Sequence, residues 1–141
     1  MSNIINIQSI IAKEVSIEDA KKMVILHKGE TFSFFDEGCS RFVYANADNT
    51  KVIKVLKSQS TNFNQEEVRI YNEATDEEKR EMVETTMYNG IVEQAFCTPI
   101  KFGGKKLTNE QKQFALSCRN EVGWTEDGRL VCFDLDEYKK Y

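Results

Sequence analysis

Lys54 stands in the run Lys51-Val52-Ile53-Lys54-Val55-Leu56-Lys57. A strand there puts Val52, Lys54 and Leu56 on one face. An ammonium between two apolar residues on a half-buried face needs an anionic partner, because an unpaired buried charge is expensive. The partner can be a carboxylate. Glu67 offers the carboxylate. It lies four residues after Phe63 and three before Ile70, so on a helix it faces inward with them while Glu66 points to solvent. Upstream, Gly38 occupies the turn Asp36-Glu37-Gly38-Cys39-Ser40. Arg41 and Val43 follow it. Downstream, Asn120 precedes a hairpin that Asp134 closes. Each residue also has a plainer role: Gly38 as a turn former, Lys54 as an edge-strand lysine that blocks aggregation, Glu67 as the capping partner of Asn64, Asp134 as a solvated loop charge.

These side chains need a sheet and a helix to hold them. Ser16 and Asp19 form a capping box, and Ala20, Met23, Val24 and His27 follow at helical spacing, so a helix is predicted from Ser16 to a stop at Gly29. The 1–14 segment reads as either strand or short helix. Three strands come next: Thr31 to Phe35, Arg41 to Ala45 and Lys51 to Lys57. The turns between them are short, which implies an antiparallel meander. Asn64 with Glu67 and Thr75 with Glu78 resemble capping boxes, so two helices are expected, the second carrying Met82, Val83 and Thr86 and ending at Asn89-Gly90. Ile91 to Cys97 reads as strand, Thr98-Pro99 as its break, and Ile100 to Phe102 as one more short strand. Gly103-Gly104-Lys105-Lys106 is a basic loop. Thr108 with Gln111 caps a helix to about Arg119. Asp127-Gly128 turns a last hairpin between Val122-Gly123-Trp124 and Arg129 to Phe133.

The fold class is therefore α+β. A small antiparallel sheet of about five strands carries packed helices, with a C-terminal hairpin after it. With 141 residues the chain reads as a single domain, 1–141, with a helical extension over 1–30 ahead of a core over 31–138. Hydrophobic content of 40% supplies an ordinary core. The net charge of -4, with no stripe of bases, argues against nucleic acid as a partner. No apolar run is long enough for a membrane span, and the N-terminus lacks the pattern of a secretory signal. Cys39, Cys97, Cys118 and Cys132 match no zinc or redox spacing and read as reduced thiols, which implies a cytoplasmic protein. His27 reads as the polar end of a helix.

The order hairpin, lysine strand, acidic helix, aspartate hairpin resembles the nucleotide-binding half of the protein kinase fold. That family has G-x-G-x-x-G-x-V over the phosphates, V-A-I-K on its third strand and D-F-G at its metal site. Aligned on Val43, this chain presents Asp36, Gly38, Arg41 and Val43, so only the middle glycine matches. The resemblance covers roughly residues 31–138. It implies an N-lobe-like fold in which Gly38, Arg41, Val43, Val52, Lys54 and Glu67 line a nucleotide site. Lys54 would pair with Glu67, and Asn120 and Asp134 would hold magnesium. Val52 replaces the small family alanine and would tighten the adenine pocket. Asp136 stands where the family has glycine. The catalytic motif H-R-D-L-x-x-x-N departs altogether: counting back from Asn120 or Glu121 reaches Ala115 or Leu116, and no His-Arg-Asp occurs in the sequence.

The expectation is a kinase-like protein without kinase chemistry, with no catalytic residue. It would act by binding and modulating a partner protein, in the manner of a phage or mobile-element inhibitor of a host factor. No cofactor is expected on that reading. The alternative is a minimal Mg-ATP-dependent phosphotransferase or nucleotide-binding protein, and a third reading is an unrelated α+β interaction domain. Trp124, expected to be exposed on the last hairpin, is the candidate contact residue.

Overall fold

The computed structural model describes residues 4–6, 16–57 and 61–141. The chain divides into two compact units, Met1–Gln65 with Thr86–Glu93, and Glu66–Thr85 with Gln94–Tyr141.

The first unit is built on a sheet. Strands β1 (Ile4–Asn6), β2 (Val24–His27), β3 (Glu30–Glu37), β4 (Arg41–Asn46) and β5 (Lys51–Leu56) run in that order, followed in space by β7 (Ile91–Ala95) and then β6 (Thr85–Tyr88). β1 joins β2 in parallel; β3 to β5 form the expected antiparallel meander, and β2 extends it by a strand that was read as helix. Apart from Ile4 to Asn6, the N-terminal segment that reads as strand or helix lies outside the described residues.

The predicted helix from Ser16 is cut short. Ser16 does cap it, accepting from the Asp19 amide, but helix α1 (Ile17–Lys21) ends after five residues. Val24 to His27 then pairs with Glu30 to Ser33, across a turn in which Lys28 and Gly29 have φ of 53° and 75°. Gly29 thus closes a two-residue hairpin instead of stopping a helix. The β-branched pair Val24-Ile25 favours the strand, and the waiting edge of β3 outweighs the helical spacing.

His27 seals one end of this unit. It is buried, with the rings of Phe32 and Tyr88 edge-on at 5.9 and 5.7 Å. Its Nε2 lies 3.5 Å from Glu93, too far and too poorly aimed for a good hydrogen bond, while Lys28 and Lys51 approach the same carboxylate at 3.3 and 3.7 Å. So β2 meets residues of β6 and β7, strands well removed from it in the sheet order, which means the sheet curls. Burial holds the imidazole pKa below 6.5; Glu93 pulls it up, and Lys28 and Lys51 add to the depression. A lowered folded pKa means the unfolded chain takes the proton first. Stability should therefore be complete above pH 6.5 and fall as the pH drops through that value. Urea midpoints at about pH 7 and pH 5 check this, since His27→Gln should flatten the slope in that window. Glu93, itself held below the usual carboxylate range because its cations outweigh its burial, contributes its own loss only below pH 4.5.

β5 is an interior strand, and Val52 to Leu56 are all buried. The core on one face gathers Ala20, Ile25, Phe32, Phe42, Tyr44, Ile53, Val55 and Ile91.

The second unit has a three-stranded antiparallel sheet in the order β10 (Leu130–Cys132), β9 (Val122–Trp124), β8 (Thr98–Pro99). The last hairpin is thus as predicted, but Thr98-Pro99 is an edge strand and not a break, and Ile100–Phe102 is a 3-10 turn. Helix α4 (Asn109–Ser117) carries the expected box between Thr108 and Gln111. The box of Thr75 and Glu78 is also present, yet helix α3 (Asp76–Lys79) stops after one turn. Val83 instead donates to the Cys132 carbonyl and Cys132 donates to Glu81, drawing residues 81–83 along β10. Asn89 and Gly90, at φ 51° and 80°, make the β6–β7 hairpin turn where a helix end was predicted. Met82, Ala115, Cys118, Val122, Cys132 and Leu135 form this unit's main core. Cys97, Cys118 and Cys132 are buried and Cys39 is exposed. Among the described residues, no helix is long and apolar enough to cross a membrane.

Candidate functional site

The predicted residues of the first unit share one face of the sheet. Val43 sits opposite Lys54, Arg41 opposite Leu56 and Ala45 opposite Val52. Cross-strand partners point the same way, so Arg41, Val43, Val52 and Lys54 lie together on the face opposite Phe42, Tyr44, Ile53 and Val55. Lys54 is only 4% exposed. The edge-strand role is therefore excluded for it. The flanking lysines behave as surface charges: Lys57 pairs with Glu37 at 2.6 Å and Lys51 with Glu30 at 3.5 Å.

Gly38 lies in the β3–β4 turn and donates to the Arg41 carbonyl at 2.9 Å. Its φ is not in the left-handed range, and a Cβ added there meets nothing within 4 Å. The hairpin itself does not demand glycine at this position.

Sequence reasoning missed Asn64. It was expected to cap its helix together with Glu67. Helix α2 (Phe63–Glu73) instead begins one residue earlier, and Asn64 turns inward and is fully buried. Its amide nitrogen donates to the carbonyls of Lys54 at 3.1 Å and Gly90 at 2.8 Å, and its oxygen accepts from Arg41 Nη1 at 3.2 Å. One side chain thus ties β5, the β6–β7 turn and the Arg41 guanidinium. Arg41, expected to line a nucleotide site, is held by this bond at 7% exposure. A buried asparagine beside an inward-facing glutamate was the available signal, hidden because the same pattern reads as a cap.

Glu67, Asn120 and Asp134 belong to the second unit. Glu67 is fully buried, and its Oε2 accepts from the Leu135 amide at 2.8 Å. The helix carboxylate and the Asp134 segment are thereby joined. Leu135 is a core residue. Asp134 starts the 3-10 turn Leu135–Glu137, and its carbonyl accepts from the Cys132 thiol at 3.1 Å and the Glu137 amide at 2.9 Å. Asn120 is exposed; with Arg119 it has a left-handed backbone, and its amide bonds the Ala115 carbonyl at 2.7 Å. It terminates helix α4. Among the described residues, no group of three or more His, Cys, Asp or Glu side chains could hold a metal ion.

Replacing Glu67 with leucine keeps the bulk but removes the acceptor for the Leu135 amide, and should cost about 1–3 kcal/mol; Glu67→Gln, which keeps an oxygen, should cost less. Urea unfolding of the two variants gives the comparison.

The class these elements define is α+β. No protein-family model matches the chain, and no curated protein matches it.

Proposed function

We propose that the chain is a kinase-like protein without kinase chemistry, acting by binding and modulating a protein partner, in the manner of an inhibitor that blocks a host factor. The observation that carries this reading is the bond from the Leu135 amide to Glu67, which links the acidic helix to the aspartate-bearing segment. What supports it is the order of elements: the Gly38 hairpin, strand β5 with its buried lysine, the helix with its buried glutamate, and the hairpin ending at Asp134. Fold analogy alone gives the ancestry; the activity has to be argued from the residues. Within them no His-Arg-Asp aspartate is available to orient a substrate hydroxyl. The Arg41 guanidinium is committed to Asn64, and one oxygen of Glu67 is committed to a backbone amide. These bonds favour a structural role for residues that an active enzyme would direct at its nucleotide.

Thermal unfolding with millimolar Mg-ATP should show no shift, and crosslinking in the source cell followed by mass spectrometry should recover a protein partner. A saturable Mg-ATP shift that disappears in both Lys54→Met and Asp134→Ala would replace this reading with the nucleotide-binding one. Methionine at 54 keeps the length of the buried stem, so loss of binding is separable from loss of fold.

A further inference from the structure

Trp124 was expected to be the exposed contact residue. It is only partly buried as a whole, but its ring edge is covered. Gly104, at φ 127°, lies so close that an added Cβ would sit 2.8 Å from the indole Cδ1, and Lys105 Nζ stands 5.8 Å from the ring centroid. The indole Nε1 has no hydrogen-bond partner. The tryptophan thus supports a loop that projects other residues. Phe102 is 54% exposed beside Lys101, whose Nζ is 5.1 Å from its ring, and Lys105 and Lys106 follow, both exposed. From Gln94 to Asn109 there is no Asp or Glu, although the whole chain carries -4. An acidic turn lies by Gly128, close to Lys105 Nζ; its Asp127 is engaged by Arg129 and Thr125, and its Glu126 is exposed.

Building on the partner-binding reading above, we propose that the 101–106 loop is the surface that docks on an acidic face of the protein partner, with Phe102 as its apolar centre. An exposed aromatic with one lysine over its ring, and two more exposed lysines following on the same loop, fits an apolar depression rimmed by carboxylates. The other polyanions fit less well. Anionic membranes are recognised by clusters of about 4–8 bases, more than this loop has. Nucleic acid is held through many phosphate contacts, and this loop offers three cations.

Trp124 is the chain's single tryptophan, so its fluorescence reports on the loop directly. A short Glu-rich peptide with interspersed leucines should change that fluorescence saturably and less at high salt. Binding should weaken about tenfold or more in K101E/K105E/K106E, and also in F102A, with circular dichroism unchanged. No response, or an equal response to a single-stranded oligonucleotide of matched charge or to phosphatidylserine vesicles, overturns the proposal. The captured partner provides the second arm. If it binds the triple variant as tightly as the parent chain, the loop assignment fails while the partner-binding reading stands. If no partner is captured, that reading fails, and the peptide titration still decides whether the loop takes an acidic ligand.

Discussion

Asn64→Leu is expected to lower the stability of the chain by on the order of 3–5 kcal/mol, a large share of the ~5–15 kcal/mol that holds a domain together. Three hydrogen bonds are lost at once. The Lys54 and Gly90 carbonyls lose a donor, and the Arg41 guanidinium loses an acceptor in a position where water can barely reach it. The unmade bonds, not the made ones, set the size of the effect, because each stranded group retains its desolvation cost. Asn64→Asp separates the contributions. It restores and strengthens the acceptor for Arg41 but turns a second oxygen toward two carbonyls. It should remain clearly destabilised at neutral pH and recover part of the loss in acid, where protonation supplies a donor. Urea denaturation of both variants makes the measurement. A loss below about 1 kcal/mol in Asn64→Leu would mean that the three elements hold together without this side chain.

Gly123→Ala should be nearly as damaging, for a steric reason. Gly123 lies at the middle of the central strand of the small sheet, opposite Val131 on one side and Pro99 on the other. An added Cβ would stand 2.7 Å from the Thr98 carbonyl oxygen, 2.9 Å from its carbon and 2.9 Å from Cys97 Sγ. A flexible side chain could give way, but a paired backbone cannot without unzipping β8 from β9. The expected cost is about 2–4 kcal/mol, read from urea unfolding followed by Trp124 emission, which lies next in sequence. Adding Cys97→Ala should recover little, because the carbonyl remains. Full recovery would place the clash at the sulfur instead.

The residues also show what could be read before the fold was known. The meander from Thr31 to Leu56 was legible because strands of β-branched and aromatic residues separated by short polar turns permit few other structures. The Thr108 and Thr75 boxes, the Asp127-Gly128 hairpin and the inward face of Glu67 were legible for the same reason: each depends on neighbours a few positions away. The strand at Val24 to His27 and the end of helix α3 were not, because each was decided by a distant edge, β3 for the first and β10 for the second. Asn64 could be seen as a helix-start residue but not as a three-way tether, since its acceptors and donor come from residues 41, 54 and 90.

By itself, the sequence determined the meander from Thr31 to Leu56, the Thr75 and Thr108 caps and the last hairpin, and it set Lys54 and Glu67 at spacings shared with apolar residues, because each of these follows from pattern along a few residues. Only the tertiary structure decided that β5 is an interior strand, that Asn64 bonds the backbone of β5 and of the β6–β7 turn, and that Glu67 holds the segment after Asp134. A hydrogen bond forms between whichever groups folding brings within reach, and for these groups the chain separation is too long for local pattern to specify the pairing.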